Sequence, residues 1–98
     1  MVTPGGGLAS IHAIIPAMSE QIAKQLHDAI AARLPDAIVE VTIGSPGHYS
    51  LAVTSAEFAG LKPLAKQRLV YSAIAPLMAG DAAPVHAIDQ LVTRLPQT

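Results

Sequence analysis

The 98-residue sequence contains no cysteine. It therefore cannot form a disulfide scaffold, supply a thiol nucleophile, or hold an iron–sulfur or zinc–thiolate site by itself. Any metal bound by this chain must use histidine or carboxylate ligands, or must be shared with a partner that brings ligands of its own.

Aromatic and charged residues are also scarce. There is no tryptophan, and the three aromatic residues (Tyr49, Phe58 and Tyr71) offer few platforms on which single-stranded nucleic acid could stack. Charged residues make up 13% of the chain, about half the usual share, and the net charge of −1 argues against a generally basic nucleic-acid binder. Hydrophobic residues make up 51%, which is enough for the core of one small domain.

Sequence signals for export, membrane insertion and catalysis are missing too. Residues 1–19 contain no Lys, Arg, Asp or Glu, so they lack the positive start of a signal peptide. The uncharged run Leu69–Gly80 contains Pro76 and is shorter than the roughly twenty residues needed to span a membrane. No G-x-S-x-G elbow, phosphate-binding glycine loop or H-E-x-x-H motif occurs. These absences predict a cytoplasmic protein with no membrane association that is not an enzyme.

The hydrophobic pattern predicts a single domain over residues 19–98. Residues 1–18 contain a run of three glycines and are predicted to form a flexible leader. Ser19 is placed to cap a first helix, which ends before Pro35. Its apolar residues recur every four positions, as expected for a helix with one buried face.

Three strands are predicted to follow this helix. Residues 38–43 and 49–54 alternate between apolar and polar side chains and form an antiparallel hairpin. The third strand, 85–92, follows a short helix at 56–59 and a long helix that starts at Pro63. Because a crossover of this length joins parallel neighbours, the predicted fold is α+β. It is a two-layer sandwich with a mixed three-stranded sheet and helices on one face.

The predicted topology brings two histidines to one edge of the sheet. His48 opens the second strand and His86 opens the third, and parallel neighbours begin at the same edge. Neutral imidazole is a common ligand for zinc, iron and copper, so His48 and His86 are candidate metal ligands. The alternative is a pair of surface or half-buried histidines without a ligand.

A basic segment lies in the crossover. Lys62, Lys66 and Arg68 occur in and just before the long helix, which contains no acidic residue. Together with the short helix, segment 55–79 is compatible with a helix-turn-helix. Lys66 and Arg68, however, lie about 200° apart around a helix and do not form one stripe. A surface that docks a protein partner and a solvated helix face are the alternatives.

The sequence resembles the BolA family in four segments that follow one another at the family's spacing. These segments are His48-Tyr49, the turn Ser55/Phe58/Gly60, Lys66-Gln67-Arg68 with Val70-Tyr71, and Val85-His86-Ala87. The likeness spans about residues 19–95. Lys66-Gln67, in place of the commoner Arg-His, is most similar to the short bacterial branch of BolA-like proteins.

The resemblance implies an αββααβ fold, similar to a type II KH domain without its G-x-x-G nucleic-acid loop. BolA-like proteins pair with monothiol glutaredoxins, and the complex holds a bridging two-iron, two-sulfur (2Fe-2S) cluster. By this resemblance the glutaredoxin and glutathione supply thiolates, and His86 supplies an imidazole ligand. The chain alone is expected to be a monomer or a weak dimer and to hold no cluster.

The sequence departs from the family in the loop between the first two strands. Residues 44–47 contain neither the Cys nor the His that many members use there as a second ligand. His48 is the nearest replacement in this sequence, and we take it as the candidate second ligand.

The resemblance also leaves a second function open, because some BolA proteins are described as DNA-binding regulators of the stress response. In that case the helix-turn-helix-like segment 55–79 would contact DNA. The candidate surface for a glutaredoxin or for DNA comprises Lys62, Lys66, Arg68 and Tyr71.

Overall fold

The computed structural model describes the backbone of residues 10–97 and the side chains of residues 18–97. Its elements are α1 (Ser10–Arg33), β1 (Ile38–Ile43), β2 (His48–Thr54), α2 (Pro63–Met78) and β3 (Ala87–Arg94). A 3-10 turn, Ala56–Phe58, lies between β2 and α2. Within these described residues, neither helix is long and apolar enough to cross a membrane.

The three strands form one mixed sheet in the order β1-β2-β3. β1 and β2 are antiparallel, with Val41 opposite Leu51. β3 runs parallel to β2 and begins with Ala87 opposite His48. The hairpin and the parallel crossover are thus confirmed.

The core lies between the sheet and the two helices. Apolar side chains recur every three or four residues along the helices and every second residue along β2, so they meet on facing surfaces. The buried apolar residues are Leu26, Ile30, Leu34, Tyr49, Leu51, Val53, Phe58, Val70, Ile74 and Val85. Burial of each aliphatic side chain contributes about 1.5–3 kcal/mol. Both helices pack on the same face of the sheet, which confirms the two-layer α+β prediction.

α1 begins earlier than the sequence predicts. It includes residues 10–18, which the prediction assigned to the leader, so Ser19 lies inside the helix and is not its cap. The glycine run ends at Gly7, and the helix continues through Pro16 although proline removes one of its backbone hydrogen bonds. Residues 1–9 of the predicted leader lie outside the described residues.

Several other boundaries differ from the prediction, among them the start of β2 at His48 and the end of β3 at Arg94. The short helix predicted at 56–59 is a single 3-10 turn of three residues. β3 begins at Ala87 and not at Val85. The N–H of Val85 donates to the carbonyl of Leu77 at 3.1 Å, so Val85 belongs to the connection from α2 and not to the strand ladder.

A cluster of hydrogen bonds ties the loop before β1 to the end of β2. Asp36 accepts hydrogen bonds from Ser55 Oγ at 2.7 Å and from the backbone N–H of Ala56 at 2.8 Å. The buried Ser55 hydroxyl accepts in turn from the N–H of Glu57 at 3.1 Å. The bond from Ser55, followed by the bond from Ala56, lowers the pKa of Asp36 below its ordinary value of 3.8.

We expect Asp36→Asn to destabilise the fold at neutral pH and to make its stability less sensitive to acid. Because the pKa of Asp36 is lower in the folded chain, ionised Asp36 stabilises the fold above the ordinary carboxyl pKa. This stabilisation is lost as the pH falls through the lowered pKa. Urea unfolding from neutral pH down to about pH 2 measures the effect. The gap between the midpoints of wild type and variant should narrow below about pH 4.

The control for this prediction is Asp81→Asn, which removes a carboxylate from an exposed loop position. It should shift the unfolding midpoint little at any pH. Parallel pH profiles for wild type and Asp36→Asn would contradict the role given to Asp36.

Candidate functional site

His86 lies at the edge of the sheet, one residue before β3, and is exposed. Its backbone N–H donates to the carbonyl of Gly47 at 2.8 Å, and the N–H of Ala87 donates to the same oxygen at 3.2 Å. Within residues 18–97, the imidazole ring of His86 makes no hydrogen bond. Neither ring nitrogen is therefore occupied by this part of the chain.

His48, the first residue of β2, is held by a carboxylate. Its Nδ1 lies 2.9 Å from Oδ1 of Asp89, and its side chain is 39% exposed. Because a carboxylate only accepts hydrogen bonds, Nδ1 donates and Nε2 is the acceptor in the neutral ring. The register of β2 and β3 shifts between Tyr49 and Ser50, which leaves Asp89 as a bulge residue beside His48.

The two histidines point to opposite sides of the sheet. His48 pairs with Ala87, and successive residues alternate between the two faces, so His86 lies on the face opposite His48. On the helix-covered side, His86 borders a cavity of about 410 Å³ together with Met18 and Ile22 of α1, whereas His48 does not border it. The shared edge agrees with the predicted placement, but the two rings do not converge on one side.

This edge does not contain a complete metal site. In the part of the chain that the structure describes, no group of three or more His, Asp or Glu side chains could hold a metal ion. On each face of the sheet, this edge presents one imidazole ring, that of His48 or that of His86. A metal or cluster bound there needs further ligands from another molecule.

The four residues of the predicted partner surface divide between two sides of α2. Lys62 and Lys66 are four residues apart and share one side, whereas Arg68 and Tyr71 are three apart and share another side with the exposed Leu64. Lys62 and Arg68 are exposed, and Lys66 and Tyr71 are half-buried. The basic residues therefore do not form one continuous stripe.

Segment 55–79 is not a helix-turn-helix. That motif requires two helices, but the first of them is replaced here by the 3-10 turn Ala56–Phe58. Phe58 is buried in the core, which fixes this turn against the sheet. The helix-turn-helix interpretation is therefore wrong, because too few residues separate β2 from α2 to form a first helix.

Comparison with known proteins identifies the family. The family model described as BolA-like protein matches residues 26–97, which is most of the chain. This chain belongs to the BolA-like family. The resemblance that four short segments indicated is thereby confirmed.

Relatives of this BolA-like chain include proteins from animals and plants. BolA-like protein 1 of Homo sapiens is 47% identical over 45 residues, which cover 46% of this chain and 31% of the human protein. The solution structure of BolA1 from Mus musculus has a TM-score of 0.61 at 27% identity, covering 76% of this chain and 65% of that chain. BolA1 from Arabidopsis thaliana has a TM-score of 0.59 at 20% identity, covering 76% of this chain and 90% of that chain. The aligned part is thus less than a third of the human relative. The family rests on the family model, and the solved structures show the fold.

Two residues at this edge were missed by sequence reasoning. Asp89 holds His48, and Gly47 accepts the N–H of His86. An available signal for Asp89 is that it is the one acidic residue within β3, where aspartate is disfavoured. Pro46-Gly47 is the sequence signal of a type II turn with a left-handed glycine, which distinguishes Gly47 from Gly44, but the contact of Gly47 with His86 has no signal in the sequence.

We expect Asp89→Ala to change the protonation pattern of the neutral His48 ring. Without its carboxylate acceptor, Nδ1 loses its preference for the proton, and the form protonated at Nε2 becomes populated. The fold should persist, since an exposed pair of this kind contributes under about 1 kcal/mol. Two-bond ¹H–¹⁵N correlation spectra above about pH 8, where histidine is neutral, measure the change.

Two controls accompany Asp89→Ala. Asp89→Glu keeps a carboxylate, which only accepts hydrogen bonds, and should retain the wild-type pattern. His86, on the other face, should be unaffected in both variants. An unchanged His48 spectrum in Asp89→Ala would show that the contact does not form in solution.

Proposed function

We propose that this BolA-like chain is an interaction protein that pairs with a monothiol glutaredoxin. The pair shares a bridging 2Fe-2S cluster, in cluster trafficking or in iron and redox sensing. The main support is His86, whose ring is exposed at the sheet edge and has no hydrogen-bond partner within residues 18–97. His86 also lies in Val85-His86-Ala87, one of the segments in which this sequence resembles the family.

The residues of this edge fit a shared cluster and not a resident one. The sequence has no thiol, and no complete set of metal-binding side chains occurs among the described residues. The thiolates therefore come from the glutaredoxin and from glutathione, and this chain contributes the imidazole of His86. Histidine in place of cysteine raises the reduction potential of a 2Fe-2S cluster.

His86 is favoured over His48 as the ligand from this chain. The two rings lie on opposite faces of the sheet and do not converge, and the resemblance to the family assigns the ligand role to His86. The bond from Nδ1 of His48 to Asp89 leaves the Nε2 of His48 available, an arrangement that many metal-binding histidines share. The ligand role of His48 stays a prediction, which the variants below test.

Co-expression with a monothiol glutaredoxin from the same cell tests the proposal. The pair is purified without oxygen, and its visible absorption and circular dichroism are recorded. We expect a coloured complex with wild type, a changed or lost spectrum with His86→Ala, and a wild-type spectrum with His48→Ala. His27→Ala, an exposed histidine on α1, is the control for loss of an imidazole elsewhere.

The possible results separate three interpretations. Coincident spectra for wild type and His86→Ala contradict the ligand role of His86. Failure of the two proteins to associate contradicts the pairing itself. A spectrum altered by both His86→Ala and His48→Ala identifies His48 as a second ligand.

The outer side of α2 is a candidate for part of the docking surface. Leu64 is 55% exposed and lies beside Arg68 and Tyr71. An exposed apolar side chain next to Arg and Tyr is a composition typical of protein interfaces. Within residues 18–97, neither Lys66 nor Arg68 forms an ion pair, so their charges are free to meet an acidic partner or a phosphate backbone.

DNA binding is the second candidate function because of these unpaired cations. DNA binding in physiological salt would require more phosphate contacts than the three cations Lys62, Lys66 and Arg68 supply. We therefore expect measurable affinity for DNA only at low salt. Fluorescence anisotropy with a duplex, at several salt concentrations, measures it for wild type and for the double variant Lys66→Gln, Arg68→Gln. Tight binding in physiological salt that both substitutions abolish would instead favour the DNA-binding function.

A further inference from the structure

Gly47 and His86 are in direct contact. The φ angle of Gly47 is +82°, in the left-handed region that favours glycine. A Cβ atom at position 47 would lie 2.9 Å from Cγ and 3.2 Å from Nε2 of His86, and closer still to Cδ2. The imidazole therefore occupies the space that any other side chain at this position would need.

Two other glycines show that this is not a general property of left-handed turns. Gly60 and Gly80 have φ angles of +78° and +86°. A Cβ atom at either position would meet no atom within 4 Å. Backbone conformation alone explains glycine at positions 60 and 80, whereas position 47 must also leave room for a ring.

Gly47 also fixes the main chain that carries the ring. Its carbonyl oxygen accepts the N–H groups of both His86 and Ala87, at 2.8 and 3.2 Å. One residue thus contacts the ring of His86 through its Cα and the backbone of His86 through its oxygen. We propose that Gly47 is a positioning residue for the His86 imidazole.

This contact restricts the orientation in which the ring is presented. The Cδ2 edge of the ring faces Gly47, so Nδ1 and Cε1 lie on the far side. A side chain at position 47 would push the ring away from this orientation. The use of that orientation in ligation rests on the proposed function, but the contact itself is a property of the chain alone.

Nuclear magnetic resonance of the isolated chain tests the contact. We expect a nuclear Overhauser effect between the Hα protons of Gly47 and Hδ2 of His86 in the wild type. In Gly47→Ala the ring resonances of His86 should shift, while Gly60→Ala and Gly80→Ala should leave them in place. These two controls introduce the same left-handed backbone strain but no clash. A shift of the His86 resonances in Gly47→Ala alone therefore reports the clash and not a general loss of stability.

The measurements on the isolated chain decide the inference without reference to a partner. A missing Overhauser effect in the wild type overturns it, and this measurement does not depend on whether Gly47→Ala folds. Unmoved His86 resonances in a folded Gly47→Ala overturn it as well. If the glutaredoxin complex forms, Gly47→Ala should alter the visible circular dichroism of the complex, and Gly60→Ala should leave it unchanged. A wild-type spectrum for the complex with Gly47→Ala would also overturn the inference. Failure to form any complex counts against the proposed function only.

Discussion

The parallel pairing of β2 with β3 is the constraint on which the candidate site depends. The ladder begins with Ala87 opposite His48, and His86 lies one residue outside it. The carbonyl of Gly47 closes this end of the ladder by accepting two successive N–H groups. Because side chains alternate along a strand, a slip of one residue would move His86 to the open face of the sheet.

The hydrophobic core fixes this register. Tyr49, Leu51 and Val53 are buried against the helices, so the face that β2 turns towards the core is settled along its whole length. Val85 is buried as well, and its N–H is bonded to Leu77 at the end of α2. The chain therefore enters β3 from a fixed point. The position of the His86 ring follows from packing that lies mostly away from the site.

Much of the fold is predictable because its signals are periodic. The four-residue spacing of Leu26, Ile30 and Leu34 predicts α1, and the alternation in β1 and β2 predicts the hairpin. The long crossover then predicts a parallel third strand, which brings His48 and His86 to one edge. The start of α1 is harder to predict. Pro16 lies near that start, and a proline there is compatible both with a helix that begins after it and with one that continues through it.

The details of the site have no such periodic signal. The face on which His86 lies depends on how β3 pairs with β2, which the pattern of neither strand alone reveals. The predicted start of β3, two residues too early, does not change this face, because side chains alternate with a period of two. The contact of His48 with Asp89 depends on the bulge in β3. The position of the His86 ring depends on the φ angle of the turn residue Gly47. Each is a tertiary feature of one or two residues, whereas periodicity averages over whole elements.

The most direct test of His86 as the ligand from this chain uses electron spin-echo spectroscopy of the reduced glutaredoxin complex. The BolA-like chain is labelled with ¹⁵N-histidine and the glutaredoxin is left unlabelled. We expect a ¹⁵N coupling from a single imidazole, retained in His48→Ala and absent in His86→Ala. A ¹⁵N coupling that persists unchanged in His86→Ala would contradict the assignment.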